Sequence, residues 1–416
     1  MVRAIAPLGL LALGDQLVAY QCHHQALFLD QTVSDALGGE GWAVRRQAAF
    51  EASHALLAGF YGELGVIEPM ERIELAGELF AAMGHGRLLF EITAEGGTVR
   101  GHDLFHGASF RDKYGAVVKN RRPLDTFAAG YVSAAASLAY PSDWGTLEAE
   151  EIACVARRDD LCVFALTRRP ERPRFGAVVT RHLVEQQRPR GLEPLRPTSA
   201  AARAGSDLAR LIHGAPPDDG GAITAFGSRL AIVPSSYTSQ ITFDTVHLVE
   251  KRTPELFALV ATLAREAAQT GAFHLLGGVM ASPAWQADHG PPAREIDVRL
   301  EQLVGLAATL GWGTYDVEEF FPGRTLVLRS TLTPESAYYA ARHGASARGR
   351  LFFHQGLALA LMRLVNDVDF DVEHPIGRGT YDALFKGGTR FEAVETRSPL
   401  RGDDLCEVAV EAVDPG

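Results

Sequence analysis

Arg158-Asp159-Asp160-Leu161-Cys162-Val163-Phe164-Ala165-Leu166 recurs 244 residues later as Gly402-Asp403-Asp404-Leu405-Cys406-Glu407-Val408-Ala409-Val410. In both copies an acidic pair, a leucine and a cysteine lead into an apolar-rich run, which reads as a turn entering a strand. Working outward from these cysteines, the two halves of the chain match element by element, the mark of a tandem duplication. Ile73, Ala76, Phe80 and Met83 carry the spacing of a helix with one buried face, as do Leu300, Leu303, Ala307 and Leu310 at an offset of 227. Each series ends in a glycine pair, Gly84-His85-Gly86 or Gly311-Trp312-Gly313, suited to closing a helix.

A strand-like run follows each pair, Arg87 to Ile92 or Thr314 to Phe321, and then a turn, Glu95-Gly96-Gly97 or Pro322-Gly323-Arg324. Both predict hairpins, the second returning over Thr325 to Arg329. Thr333-Pro334-Glu335 opens a helix, with Thr as cap and Pro at the first helical position. A further helix carries Phe127-Ala128-Ala129-Gly130-Tyr131 in one copy and Phe353-His354-Gln355-Gly356-Leu357 in the other. Upstream, long amphipathic helices are expected around Ala49 to Phe60 and around Phe257 to Ala264, the latter opened by Thr253-Pro254-Glu255. Between the glycine of the Phe127 or Phe353 helix and the closing cysteine the second copy is 18 residues longer, which places an inserted loop near Val368 to Gly379.

Seven of the 21 prolines and ten arginines crowd the stretch from Arg168 to Pro217, against four acids between Arg168 and Arg210. That composition reads as a linker interrupted by short helices at Val178–Gln187 and Ala200–Ile212. The expected organisation is a first domain at 1–167, a Pro/Arg-rich linker at 168–221 and a second domain at 222–416. The fold class is α+β, two tandem copies of a helix-rich domain with a small antiparallel sheet.

The formal charge of −11 argues against a large nucleic-acid footprint, which needs clustered Lys and Arg. Four cysteines in 416 residues are too few for a disulfide scaffold and point to a reducing, cytoplasmic setting. The apolar run Ile5 to Leu13 lacks a basic leader and a cleavage site, and no stretch reaches the roughly 20 residues that span a bilayer, so no membrane association is expected. Phosphate-binding glycine loops, the Gly-x-Ser-x-Gly elbow and His-Glu-x-x-His are missing, so the commonest nucleotide and hydrolase chemistries have no motif to rest on.

Glu151, Cys154 and Cys162 place one carboxylate and two thiols on adjacent strands joined by a turn, where they can share a tetrahedral zinc as a partial site. Buried strand cysteines are the bland alternative. Cys22-His23-His24 cannot turn three consecutive side chains to one ion, and surface or strand placement is expected. His85, His102 and His106 flank the first hairpin and are expected to be ordinary, partly exposed histidines.

With the helix Gly130-Tyr131-Val132-Ser133 ahead of it, the cysteine segment resembles the 4-vinyl reductase domain, a small-molecule-binding domain. Its relatives include the sensor modules of phenol-responsive activators and, more distantly, nitric-oxide-signalling and Golgi-transport ligand-binding subunits. The resemblance covers each half in element order. It implies a structural zinc on Glu151, Cys154 and Cys162, with Asp125 standing near the place of the family's additional helix cysteine as a candidate oxygen ligand. In the second copy Glu395 and Cys406 keep their places, but Ser398 and Leu351-Phe352 replace the other ligands, so zinc is expected in the first domain only.

The resemblance also implies a pocket for a hydrophobic ligand where aromatic residues concentrate: Phe90, Phe105, Phe110, Tyr114, Phe127 and Tyr131 in one copy, Tyr338 and Phe353 in the other. Core packing accounts equally well for these rings. The expected function is non-enzymatic sensing of a small hydrophobic or aromatic molecule, signalling through a protein partner, with the halves forming an intramolecular pseudo-dimer or the chain a homodimer. A scaffold or adaptor with filled pockets is the alternative, and a protein associated with a tetrapyrrole-pathway reductase the third choice.

Overall fold

The computed structural model describes residues 2–5, 8–115, 124–143, 145–170, 195–372 and 374–413. The first half opens with strands β1 (Arg3–Ile5), β2 (Leu10–Leu13) and β3 (Gln16–Cys22), followed by helices α1 (His23–Leu37), α2 (Glu40–Leu64) and α3 (Pro69–Ala82). A hairpin of β4 (Arg87–Thr93) and β5 (Gly96–His102) leads to α4 (Phe105–Tyr114), α5 (Thr126–Ala139) and the pair β6 (Thr146–Ala153) and β7 (Cys162–Arg169). Helix α6 (Ser199–His213) precedes the second half, which repeats the plan. There β8 (Ile223–Ala225) and β9 (Ser228–Pro234) lead into α7 (Ser235–Arg252), α8 (Phe257–Ala281), α9 (Pro283–His289) and α10 (Ile296–Thr309). The hairpin β10 (Asp316–Phe321) and β11 (Thr325–Ser330), helices α11 (Pro334–His343), α12 (Phe352–Asn366) and α13 (Arg378–Gly387), and strands β12 (Phe391–Arg397) and β13 (Cys406–Ala412) complete it.

The fold is α+β, and the duplication is legible in its sheets. Two four-stranded antiparallel sheets share one topology, β4-β5-β7-β6 and β10-β11-β13-β12. The third, β1-β2-β3-β9-β8, joins the halves. Its central pair is antiparallel with Tyr20 opposite Ile232, and these two residues are counterparts, each lying four residues into its strand. A local two-fold axis therefore passes between β3 and β9.

The glycine turns lock across that axis. Gly84 and Gly311 both take φ +83°, the left-handed conformation that ends a helix, and a Cβ on either would meet the opposite hairpin at Leu230 O (2.6 Å) or Val18 O (2.7 Å). Ile232 N donates to Met83 O (2.8 Å) and Gly86 N to Gly221 O (3.0 Å). Reciprocally, Tyr20 N donates to Leu310 O (2.9 Å) and Gly313 N to Gly9 O (2.9 Å). Each core accordingly includes residues of the other half: Ile232, Val233, Tyr237 and Ile241 sit in the first, Cys22 in the second.

Several sequence expectations are sharpened. The helix expected at Ala200–Ile212 exists as α6, capped by Thr198 and buried through Ala204 and Leu208 against α10. The one expected at Val178–Gln187 lies outside the described residues. Thr333 caps α11 in a reciprocal capping box with Ser336. Thr253 does not cap: it terminates α7, and a short 3-10 turn over Pro254–Leu256 intervenes before α8. Within the apolar run near the N-terminus, Leu10–Leu13 form the fully buried strand β2. The added helix α13 (Arg378–Gly387) begins only at the end of the insertion expected near Val368 to Gly379 and lies mostly beyond it.

Candidate metal centre and ligand cavity

Strand β6 bulges between Glu151 and Ala153, and β12 bulges at the matching Glu395 and Arg397. The bulge turns the acid inward and delivers Cys154 to a tight 3-10 turn at Val155–Arg157, closed by Arg158 at φ +75°. The repeated acidic pair now has a mechanical reason. Asp159 Oδ2 accepts the N–H of Cys154 (2.7 Å), and Asp403 Oδ2 accepts that of Ser398 (2.7 Å), fixing each loop between its strands.

In the first half this loop faces the N-terminus of α5, where Asp125 precedes the helix. Glu151 Oε2 accepts the N–H groups of Leu124 (2.7 Å) and Asp125 (3.3 Å), and Asp125 Oδ1 accepts that of Gly107 (2.9 Å). These bonds leave Asp125 Oδ2 facing both thiols, 3.2 Å from Cys162 Sγ and 3.5 Å from Cys154 Sγ, with the sulfurs 3.8 Å apart. Glu151 Oε1 is buried without a partner. All four side chains are buried, with one ligand atom of each inside a 4.8 Å circle. Two thiolates about 2.3 Å from a tetrahedral ion stand about 3.8 Å apart, and a thiolate and a carboxylate oxygen about 3.5 Å apart. The three edges among Asp125, Cys154 and Cys162 lie near those figures, so the group can hold a metal ion.

Electrostatics agree. Burial, then Asp125, pushes Glu151 up to about 8, and Cys154 is raised by its contact with Cys162 and by burial. Cys162 gains some relief from Cys154, yet burial and Asp125 carry it up to about 11. Such a set holds its protons until a cation replaces them. In the second half Glu395 Oε2 keeps the capping role toward Arg350 N (2.6 Å) and Leu351 N (2.8 Å), while buried Leu351 stands at the place of Asp125. Glu335 of α11 reaches the same helix start and accepts the N–H groups of Phe353 (2.9 Å) and His354 (2.8 Å). Burial raises its carboxyl to about 8 despite both bonds.

The aromatic residues divide by half. Phe105, Phe127 and Tyr131 are buried in the first core, Phe90 packs on Gly77, and Phe110 lies against Tyr114, which is partly exposed on a cleft between the halves. Tyr338 stacks on Phe243 in a satellite core. Phe353 alone of this set lines a cavity of about 80 Å³ bounded by β3, α1, α7, α8 and the start of α12, walled by Tyr20, Gln25, Phe243, Trp312 and Phe352. Gln25, which carries a buried, unpartnered Oε1, comes from the opposite half and was missed in the sequence, because nothing local marks a contact 328 residues from Phe353. By the strand and helix register its counterpart is Tyr237, the third residue of α7 as Gln25 is of α1. In the first half the Tyr237 ring packs edge-on against Phe127 (5.0 Å), and His85, the counterpart of Trp312, stacks on the same ring (4.4 Å).

The histidines correct the expectation of partial exposure. His85 is buried, bonded to Ile232 O (2.9 Å) across the interface, and burial lowers its pKa to about 3. His106 is buried on Asp30 (2.9 Å), which also pairs with Arg45 (3.2 Å). His102 is exposed as expected. Cys22 ends β3 in the core, and His24 stacks on His274 of the other half. Among the described residues no helix is long and apolar enough to cross a membrane. No protein-family model matches the sequence, and no curated protein gives a significant match.

Proposed function

We propose that this protein is a non-enzymatic receptor of the 4-vinyl-reductase-domain type. It binds one small apolar or aromatic molecule in the second-half cavity and holds zinc in the first half as a structural clamp. The observation that carries the reading is the cavity itself, walled by Tyr20, Phe243, Trp312, Phe352 and Phe353, with Gln25, Glu335 and several hydroxyls as its polar groups, a mixed apolar and polar lining that suits such ligands. The soft thiolates with two carboxylates favour zinc over calcium or magnesium. Because walls of both halves meet at the cavity, occupancy is felt across the β3–β9 seam, which is the route by which a partner protein would read it. Thermal denaturation with benzene, toluene, phenol and indole tests the binding: at least one should raise the midpoint in proportion to log concentration, and no shift across the panel contradicts it.

The packed first half, with Tyr237 on Phe127, favours as a second reading an adaptor whose pockets are filled by its own side chains. A flat result in the same panel would favour that reading.

A further inference from the structure

A second, larger hollow of about 900 Å³ lies between the halves and shares no lining residue with the cavity or the metal group. At its wall, rings from both halves form a stack: His24 on His274 (3.8 Å, 14° between planes) and His274 on Tyr381 (5.7 Å, 21°). His274 is only 7 % exposed. Tyr381 is held in place by Thr270 (2.9 Å) and Gln269 (3.2 Å), so the stack is anchored from the α8 side.

Five basic side chains, Lys113, Arg265, Arg363, Arg378 and Arg390, line the hollow against three acids. The acids are engaged: Glu392 with Arg390 (2.8 Å), Asp382 with Arg378 (3.8 Å), and Glu266 acting on Arg265. Lys113 is half-buried and has no acid partner among the described residues. Burial, and then the neighbouring basic groups Lys113 and His23, hold His274 down at about 4. A half-buried ammonium beside neutral imidazoles is a charge distribution completed by an anion. Phe28, Phe385 and Phe391 supply the apolar remainder of the wall.

We infer that this cleft is a second ligand site, for an organic anion with a planar apolar body, an aryl phosphate or an aromatic carboxylate. The anionic oxygens meet Lys113 and the His24–His274 pair, and the ring lies toward Phe385. The hollow does not depend on the cavity reading, since the two share no lining residue.

Isothermal titration of the full chain with phenyl phosphate, benzoate, inorganic phosphate and phenol separates the possibilities. Phenyl phosphate or benzoate should bind at about one per chain without displacing indole, and Lys113→Met should weaken it by about tenfold or more. His274→Gln should weaken it too, while Lys113→Arg retains it. Three results overturn the site: no binding of either anion at millimolar concentration, equal affinity in Lys113→Met, or inorganic phosphate binding as tightly as phenyl phosphate. Loss of indole binding with the anion site intact would sink the receptor reading alone.

Discussion

At the scale of single residues, the two copies differ by exchanges that move chemistry from one place to another. Asp125 and Cys154 become Leu351 and Ser398, and the metal-competent group is lost; Tyr237 and Gln25 trade size across the local axis, so that room exists beside Phe353 and a ring lies beside Phe127. Cys154→Ser should therefore lower bound zinc, measured by elemental analysis, from about one per chain to below about 0.2, while Ser398→Cys should add none, because Leu351 offers no fourth ligand. Glu335 makes a separate prediction. Its folded pKa of about 8 exceeds the usual carboxyl value, so its contribution is full below about pH 4.5 and is lost as pH rises toward 8. Glu335→Gln should flatten the decline of the melting midpoint between pH 5 and 8; an unchanged slope would exclude this residue as its source.

Among elements, a close seam in each half runs between a long helix and a glycine on its neighbour. A Cβ on Gly130 would strike Ala49 Cβ and lie 2.6 Å from Phe50 N, and one on Gly356 would strike Arg265 O and lie 2.7 Å from Ala268 Cβ. Gly130→Ala and Gly356→Ala should each cost about 1–3 kcal/mol by denaturant titration, the usual range for overpacking; a neutral outcome would mean the helices can part. This seam was legible in part, since both glycines stand in the repeated Phe-x-x-Gly stretch. So were α3 and α10, the two hairpins after the glycine turns and the Asp-Asp-Leu-Cys loop, because 3.6-residue and two-residue periodicities and turn residues are local signals. The joint sheet was not, although Leu10-Leu11-Ala12-Leu13-Gly14-Asp15 and Ala225-Phe226-Gly227-Ser228 carry turn chemistry of their own. Pairing β3 with β9 is a contact between strands more than 200 residues apart, and no spacing within either strand encodes it. Asp125 was placeable only through the resemblance, as the residue near the place of an additional helix cysteine, and Gln25 not at all, because its partners lie far along the chain.

On the scale of the whole molecule, the reciprocal glycine-turn bonds and the shared sheet make the halves one cooperative body. Calorimetry should show a single transition for the apo chain, and two well-separated transitions would contradict the interlock. His85 and His354, both buried and held near pKa 3 by that burial, stay neutral in the fold and charge on unfolding, so acid should destabilise the whole body as pH falls below about 6.5. The second half holds an open cavity because Gln25 stands where the first half has Tyr237. The most direct measurement is thermal stabilisation by indole in Gln25→Tyr beside the native chain, with zinc content as the check on folding. The native chain should be stabilised and the variant, with its cavity plugged and zinc intact, should not; equal stabilisation of both would contradict the account.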